Sequence, residues 1–135
     1  MLRSLAAVTV LVPSYDDGLA FFCDVLGFAV LEDTQLSPTK RWIVVAPSRG
    51  AGAVLVLAVP SDERQTARVG DQTGGVGFFL HSWDFWADYE RLRKRGLKFP
   101  ETPRLETYGI VAVFLDPWGG KWDLLQPASG APETL

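Results

Sequence analysis

The sequence predicts an α+β fold made of two tandem βαβββ modules. Three observations carry that prediction. First, Val8–Phe28 ("VTVLVPSYDDGLAFFCDVLGF") and Val76–Phe99 ("VGFFLHSWDFWADYERLRKRGLKF") read as one unit used twice, offset by 68 or 69 residues in a chain of 135. Second, each unit starts with an apolar strand, passes through Ser-aromatic-Asp (Ser14-Tyr15-Asp16 and Ser82-Trp83-Asp84), and then adopts helical periodicity. Third, each helical pattern stops at a glycine, Gly27 or Gly96, and is followed by strand-like runs.

Each element has a local cause. Ser14 or Asp16, and Ser82 or Asp84, can accept hydrogen bonds from the free N–H groups of a first helical turn. Tyr15, Leu19, Phe22 and Leu26 form the apolar stripe of the first helix. Phe85, Tyr89 and Leu92 form that of the second, with Trp86 and Arg93 flanking. After the first helix come Phe28–Leu36, Arg41–Pro47 and Ala53–Pro60, the last two joined by the hairpin loop "SRGAG". After the second come Leu97–Glu106, Gly109–Pro117 and Lys121–Pro127, the last two joined by "WGG". Module one thus spans residues 5–60, a polar linker 61–74, module two 75–127, and a tail expected to fray 128–135.

Composition narrows the function. Hydrophobic residues make up 47% of the chain, enough for a core. A net charge of −3 argues against a nucleic-acid partner, which needs clustered Lys and Arg. The basic run Arg91–Lys98 falls at the end of the second helix, where positive charge suits the helix dipole. No apolar run is long enough to span a bilayer and no signal-peptide pattern precedes the first strand, so no membrane partner and a cytoplasmic location are expected. The single cysteine, Cys23, sits among Phe22 and Leu26 and reads as a buried structural thiol.

Two motifs give the repeat a family resemblance. Phe21–Phe28, "FFCDVLGF", resembles the "FYxxxLGF" that ends the first helix of the vicinal oxygen chelate superfamily, with Phe22 in place of tyrosine. Asp116–Leu124 resembles that superfamily's "DPxGNxxEL", with Gly120 for asparagine and Asp123 for glutamate. The resemblance covers residues 5–127. It implies the glyoxalase/bleomycin resistance/dihydroxybiphenyl dioxygenase fold, in which each module curls a mixed sheet into a half-barrel around a ligand. It also implies a homodimer and, in catalytic members, a divalent metal held by His, Gln or Glu from the first and last strands of each module.

The strands do not supply those ligands. Leu5–Val12 has no His, Gln, Glu or Asp; the ligand position falls near Ala7, and Thr9 is the only polar side chain. Ala53–Val59 has no donor, and Gly75–Leu80 has Gly75 and Gly77 at the plausible positions. Only Asp123 remains, and one carboxylate does not hold such a metal against water, so no metal or other cofactor is expected. His81, the only histidine, reads as a strand-end residue bonded to backbone, with general base as the sharper alternative.

Five tryptophans, Trp42, Trp83, Trp86, Trp118 and Trp122, are many for this length. Trp83 and Trp86 suit helix-on-sheet packing, and Trp118 a turn tip. On a strand, Trp122 must face away from Asp123, while Lys121 and Leu125 share the Asp123 face. The ligand-facing set expected is Ala7, Thr9, Trp42, Val44, Val56, Gly77, Phe79, Tyr108, Ile110, Asp123 and Leu125. Aromatic walls with one carboxylate suit a flat or cationic organic molecule. The first expectation is therefore a metal-free small-molecule binder of the bleomycin resistance kind, which links it to antibiotic resistance. The alternative is an enzyme of the same superfamily (lyase, isomerase or dioxygenase) using Asp123 and His81. A third is a regulatory partner domain without a cavity.

Overall fold

A computed structural model describes residues 1–50 and 52–129. The chain divides into two compact units at Val69/Gly70. The first holds β1 (Ala7–Leu11), α1 (Tyr15–Leu19) running on as a π-helical segment (Ala20–Val25), β2 (Ala29–Gln35), β3 (Arg41–Ala46), β4 (Val54–Ala58) and a short helix, α2 (Glu63–Thr66). The second holds β5 (Val76–His81), α3 (Phe85–Lys94), β6 (Arg104–Glu106), β7 (Gly109–Leu115) and β8 (Lys121–Pro127).

Each unit forms a four-stranded mixed sheet that does not close on itself, ordered β1-β4-β3-β2 in the first and β5-β8-β7-β6 in the second. The outer pairs β1–β4 and β5–β8 are parallel and the rest antiparallel. This is the βαβββ repeat the sequence predicts. The repeat is also visible atom by atom. Val12 N donates to Ala58 O in the first unit, and Ser82 N donates to Leu125 O in the second.

That match moves the alignment of the helix caps. Ser14 caps α1 by accepting from Asp17 N at 3.0 Å, whereas Asp84, seventy positions on, caps α3 by accepting from Ala87 N at 3.2 Å. The offset of 68 given by the two serines is therefore corrected. Ser82 bonds instead to Asp84 N and to the Asp88 carboxylate. One residue of the difference is Gly77, which bulges out of β5 between Val76 and Phe78.

One face of each sheet is covered by its helix. In the first unit Val10, Ile43, Val45 and Leu57 are buried on that face, together with Phe21 and Phe22. In the second, Ala112, Phe114, Trp122 and Leu124 are buried with Phe85 and Leu92. Trp122 stacks between Phe78 and Phe114, with ring centroids 4.3 and 5.6 Å away. The turn before β8 is fixed by Asp116. Its Oδ1 accepts from Trp118 N and Gly120 N, and its Oδ2 from Trp122 Nε1. A Cβ at residue 120 would run into this carboxylate as it is placed here.

Two elements differ from expectation. The strand expected over Leu97–Glu106 contracts to Arg104–Glu106 plus one bridge, Lys98 to Leu115. Pro100 and Pro103 lack the N–H groups a longer ladder needs. The expected linker contains α2, whose first turn is capped by Asp62 accepting from Gln65 N. The expected frayed tail lies outside the described residues from position 130 onward. Among the described residues no helix is long and apolar enough to cross a membrane.

Candidate functional site

The face of each sheet that is not covered by its helix carries most of the candidate residues. In the second unit β8 runs between β5 and β7, with Asp123 paired to Phe79 on one side and Val113 on the other. Trp122, Leu124 and Gln126 point to the helix, since Gln126 Oε1 accepts from Phe85 N at 2.7 Å. Asp123 therefore points to the open face, beside Phe79, which is 51% exposed. The residue is partly buried, yet its Oδ1 is the one fully buried side-chain polar atom among the described residues with no hydrogen-bond partner.

Burial pushes the Asp123 carboxyl above its usual range; Arg104 opposes the shift and Glu101 adds to it. Arg104 lies at 3.2 Å from Glu106 and 3.6 Å from Glu101, and Tyr108 and Glu106 favour its charged form. His81 is exposed on the same face, two pairs further along β5 opposite Leu125.

In the first unit the equivalent open row is Thr9, Val56, Val44 and Glu32, in register across the sheet. By that register Val56 takes the place of Asp123, and Thr9 that of Phe79. Ala7 and Trp42 lie on the same face, and Trp42 is 39% exposed. Trp42 Nε1 donates to Glu32 Oε2 at 2.9 Å.

The expected ligand-facing residues thus fall into three groups. Ala7, Thr9, Trp42, Val44 and Val56 share the open face of the first sheet, while Phe79, Asp123 and Leu125 share that of the second, Leu125 being buried there. Gly77 sits in the bulge, and Tyr108 lies in the turn before β7. Ile110 is placed differently. It pairs with Gln126 on the helix-facing side, away from Asp123, because side chains alternate along β7 and the register from Val113 to Asp123 is unbroken. Trp83 is 99% exposed and Trp86 51%, so neither is closed into the helix–sheet core expected for them, although Trp86 packs edge-on to Phe85. Cys23 is half-buried, and burial followed by the Asp24 charge pushes its thiol up, away from nucleophilic use.

A sequence profile of the Glyoxalase/Bleomycin resistance protein/Dioxygenase superfamily matches residues 4–124. The chain belongs to this superfamily. An uncharacterized protein from Shewanella frigidimarina (strain NCIMB 400) is 42% identical to it over 128 residues, 93% of this chain and 95% of that protein. The crystal structure of TnmS3, an antibiotic binding protein from Streptomyces sp. CB03234, is similar with a TM-score of 0.77 and 32% identity, covering 95% of this chain and 99% of that one. A superfamily member from Sphaerobacter thermophilus DSM 20745 is similar with a TM-score of 0.78 and 28% identity, covering 93% and 98%.

The donor set of this superfamily member does not fit the metal that the catalytic members hold. The strand positions at issue are occupied by Ala7, Val56, Gly75 or Gly77, and Asp123, of which only Asp123 can ligate. Among the described residues no three His, Cys, Asp or Glu side chains come together as a metal-binding group.

Two participants were missed by the sequence reading. Glu32 escaped because it lies in an otherwise solvated run, "EDTQ". Arg104 escaped because Pro103 masks the start of β6. The only available signal for Glu32 was its spacing from Trp42 across a hairpin, and a bulge shifts that spacing by one.

Proposed function

We propose that this superfamily member binds a small flat organic molecule, cationic or bearing a strong hydrogen-bond donor, without a metal. The observation that carries the reading is Asp123, a carboxylate whose Oδ1 is desolvated and unbonded, facing an exposed phenylalanine. A buried acceptor left unpaired costs about 1–3 kcal/mol, and a ligand that brings an N–H to it recovers that cost on binding. Phe79 beside it offers a ring for stacking, and Trp42 offers another in the first unit. The similarity to TnmS3, described as an antibiotic binding protein, supports binding of a small molecule rather than turnover. The reading includes a homodimer, the assembly the family resemblance implies.

The test is a thermal-shift panel of planar organic cations and their neutral analogues, run with excess chelator. A compound at ten times its dissociation constant adds about 1.4 kcal/mol, or about 4–6 °C for a chain of this size. At least one cation is expected to reach that shift, and Asp123→Asn to lose most of it. A panel without a stabilising compound, or a shift that survives both Asp123→Asn and Phe79→Ala, contradicts the proposal.

A further inference from the structure

The hairpin β2–β3 contains a device that the ligand reading alone does not require. Val30 pairs with Val45, but the next pair is Glu32 with Val44, so Leu31 is an extra residue in β2. Without that bulge Glu32 would stand opposite Ile43, on the helix-covered side where Ile43 is fully buried. The bulge turns it to the open side, next to the Thr34–Trp42 pair. There Glu32 Oε2 accepts the Trp42 indole N–H at 2.9 Å, and Oε1 accepts from Thr34 Oγ1 at 3.4 Å. The neighbouring cation, Arg41, is turned to the opposite face, where it bonds to Asp33 and Asp16 and lies over the Tyr15 ring. Arg41 therefore pairs with those aspartates and not with Glu32.

We propose that Glu32 is a positioning residue that fixes Trp42 as a stacking wall and tunes it for a cationic ring. This rests on the small-molecule reading and specifies its ligand class. A tryptophan on an open strand face samples several rotamers, and each one frozen on binding weakens affinity. A charge-assisted bond to the indole nitrogen selects one rotamer before the ligand arrives. A carboxylate on the indole N–H also pushes electron density toward the ring, which strengthens its attraction for a cation over its face. The bulge and the bond together give Trp42 a fixed, electron-rich face.

Near-ultraviolet circular dichroism tests the positioning without any ligand. The difference between the wild-type and Trp42→Phe spectra defines the Trp42 band. Glu32→Ala is expected to lose that band as fully as Trp42→Phe does. Glu32→Gln is expected to keep it, because an amide oxygen still accepts the indole proton. Both residues are exposed, so these variants retain the core. Proflavine, a planar cation, then tests the tuning by fluorescence titration. Glu32→Ala is expected to weaken it about ten-fold and Glu32→Gln about three-fold, the second reporting charge alone. A Trp42 band unchanged in Glu32→Ala overturns the positioning role. Equal proflavine affinity in wild type and Glu32→Gln overturns the tuning. Wild-type protein that ignores proflavine contradicts the cationic ligand class, while the band still decides the role of Glu32.

Discussion

Two aspartates on one turn and strand behave in opposite ways, and the contrast defines the site. Asp116 is buried and spends both oxygens on three donors that shape the turn, so Asp116→Ala is expected to cost about 2–4 kcal/mol in chemical denaturation. Asp123, seven residues on, has a fully buried oxygen with no donor at all. Its carboxyl is raised in the folded chain, chiefly by burial, above the ordinary value it regains on unfolding. The folded state therefore holds its proton more tightly than the unfolded state. The charged form opposes folding above the folded value, and that opposition is relieved as pH falls toward the unfolded one. Asp123→Asn is accordingly expected to raise the melting temperature at neutral pH, with the gain shrinking as pH approaches 4. Equal stability at both pH values would contradict this. A group retained at the expense of stability fits recognition better than architecture.

At the scale of elements, three irregularities decide what faces where, and none is written in the residue pattern. The first helix was legible as a stripe of Tyr15, Leu19, Phe22 and Leu26, a reading that leaves Phe21 off the core face. The wider π turn over Ala20–Val25, closed by Leu26 N donating to Phe21 O, brings Phe21 and Phe22 inward together, 3% and 0% exposed. Phe21→Ala is therefore expected to destabilise by about 3 kcal/mol, close to the effect of Phe22→Ala, whereas a regular helix would make it much the milder change. The other two irregularities are the bulges at Leu31 and Gly77. Each slips the alternation by one residue, placing Glu32 beside Trp42 and Phe79 opposite Asp123. Alternation alone was enough for Trp122 against Asp123, and for the row Thr9, Val56 and Val44, because β8, β4 and β3 pair without interruption there.

At the scale of the molecule, the repeat was legible because each half must bury its own helix against its own sheet, and that need writes the same apolar pattern twice. The two halves have diverged where chemistry would reside. Val56 and Asp123 occupy equivalent places, as do Thr9 and Phe79, so the first unit presents a valine beside a threonine there and the second an acid beside a ring. What the sequence could not carry is the state of Asp123, since an orphaned oxygen depends on what the neighbouring strands fail to donate. The proposed function sets an organic ligand where the family resemblance implies a metal. Metal stoichiometry tests this most directly, by elemental mass spectrometry on protein purified without chelator and again after incubation with excess Zn²⁺, Mn²⁺, Ni²⁺ or Fe²⁺. A lone carboxylate predicts less than about a tenth of an equivalent throughout. A stoichiometry close to one tight ion per chain would contradict the account and make Asp123 a metal ligand.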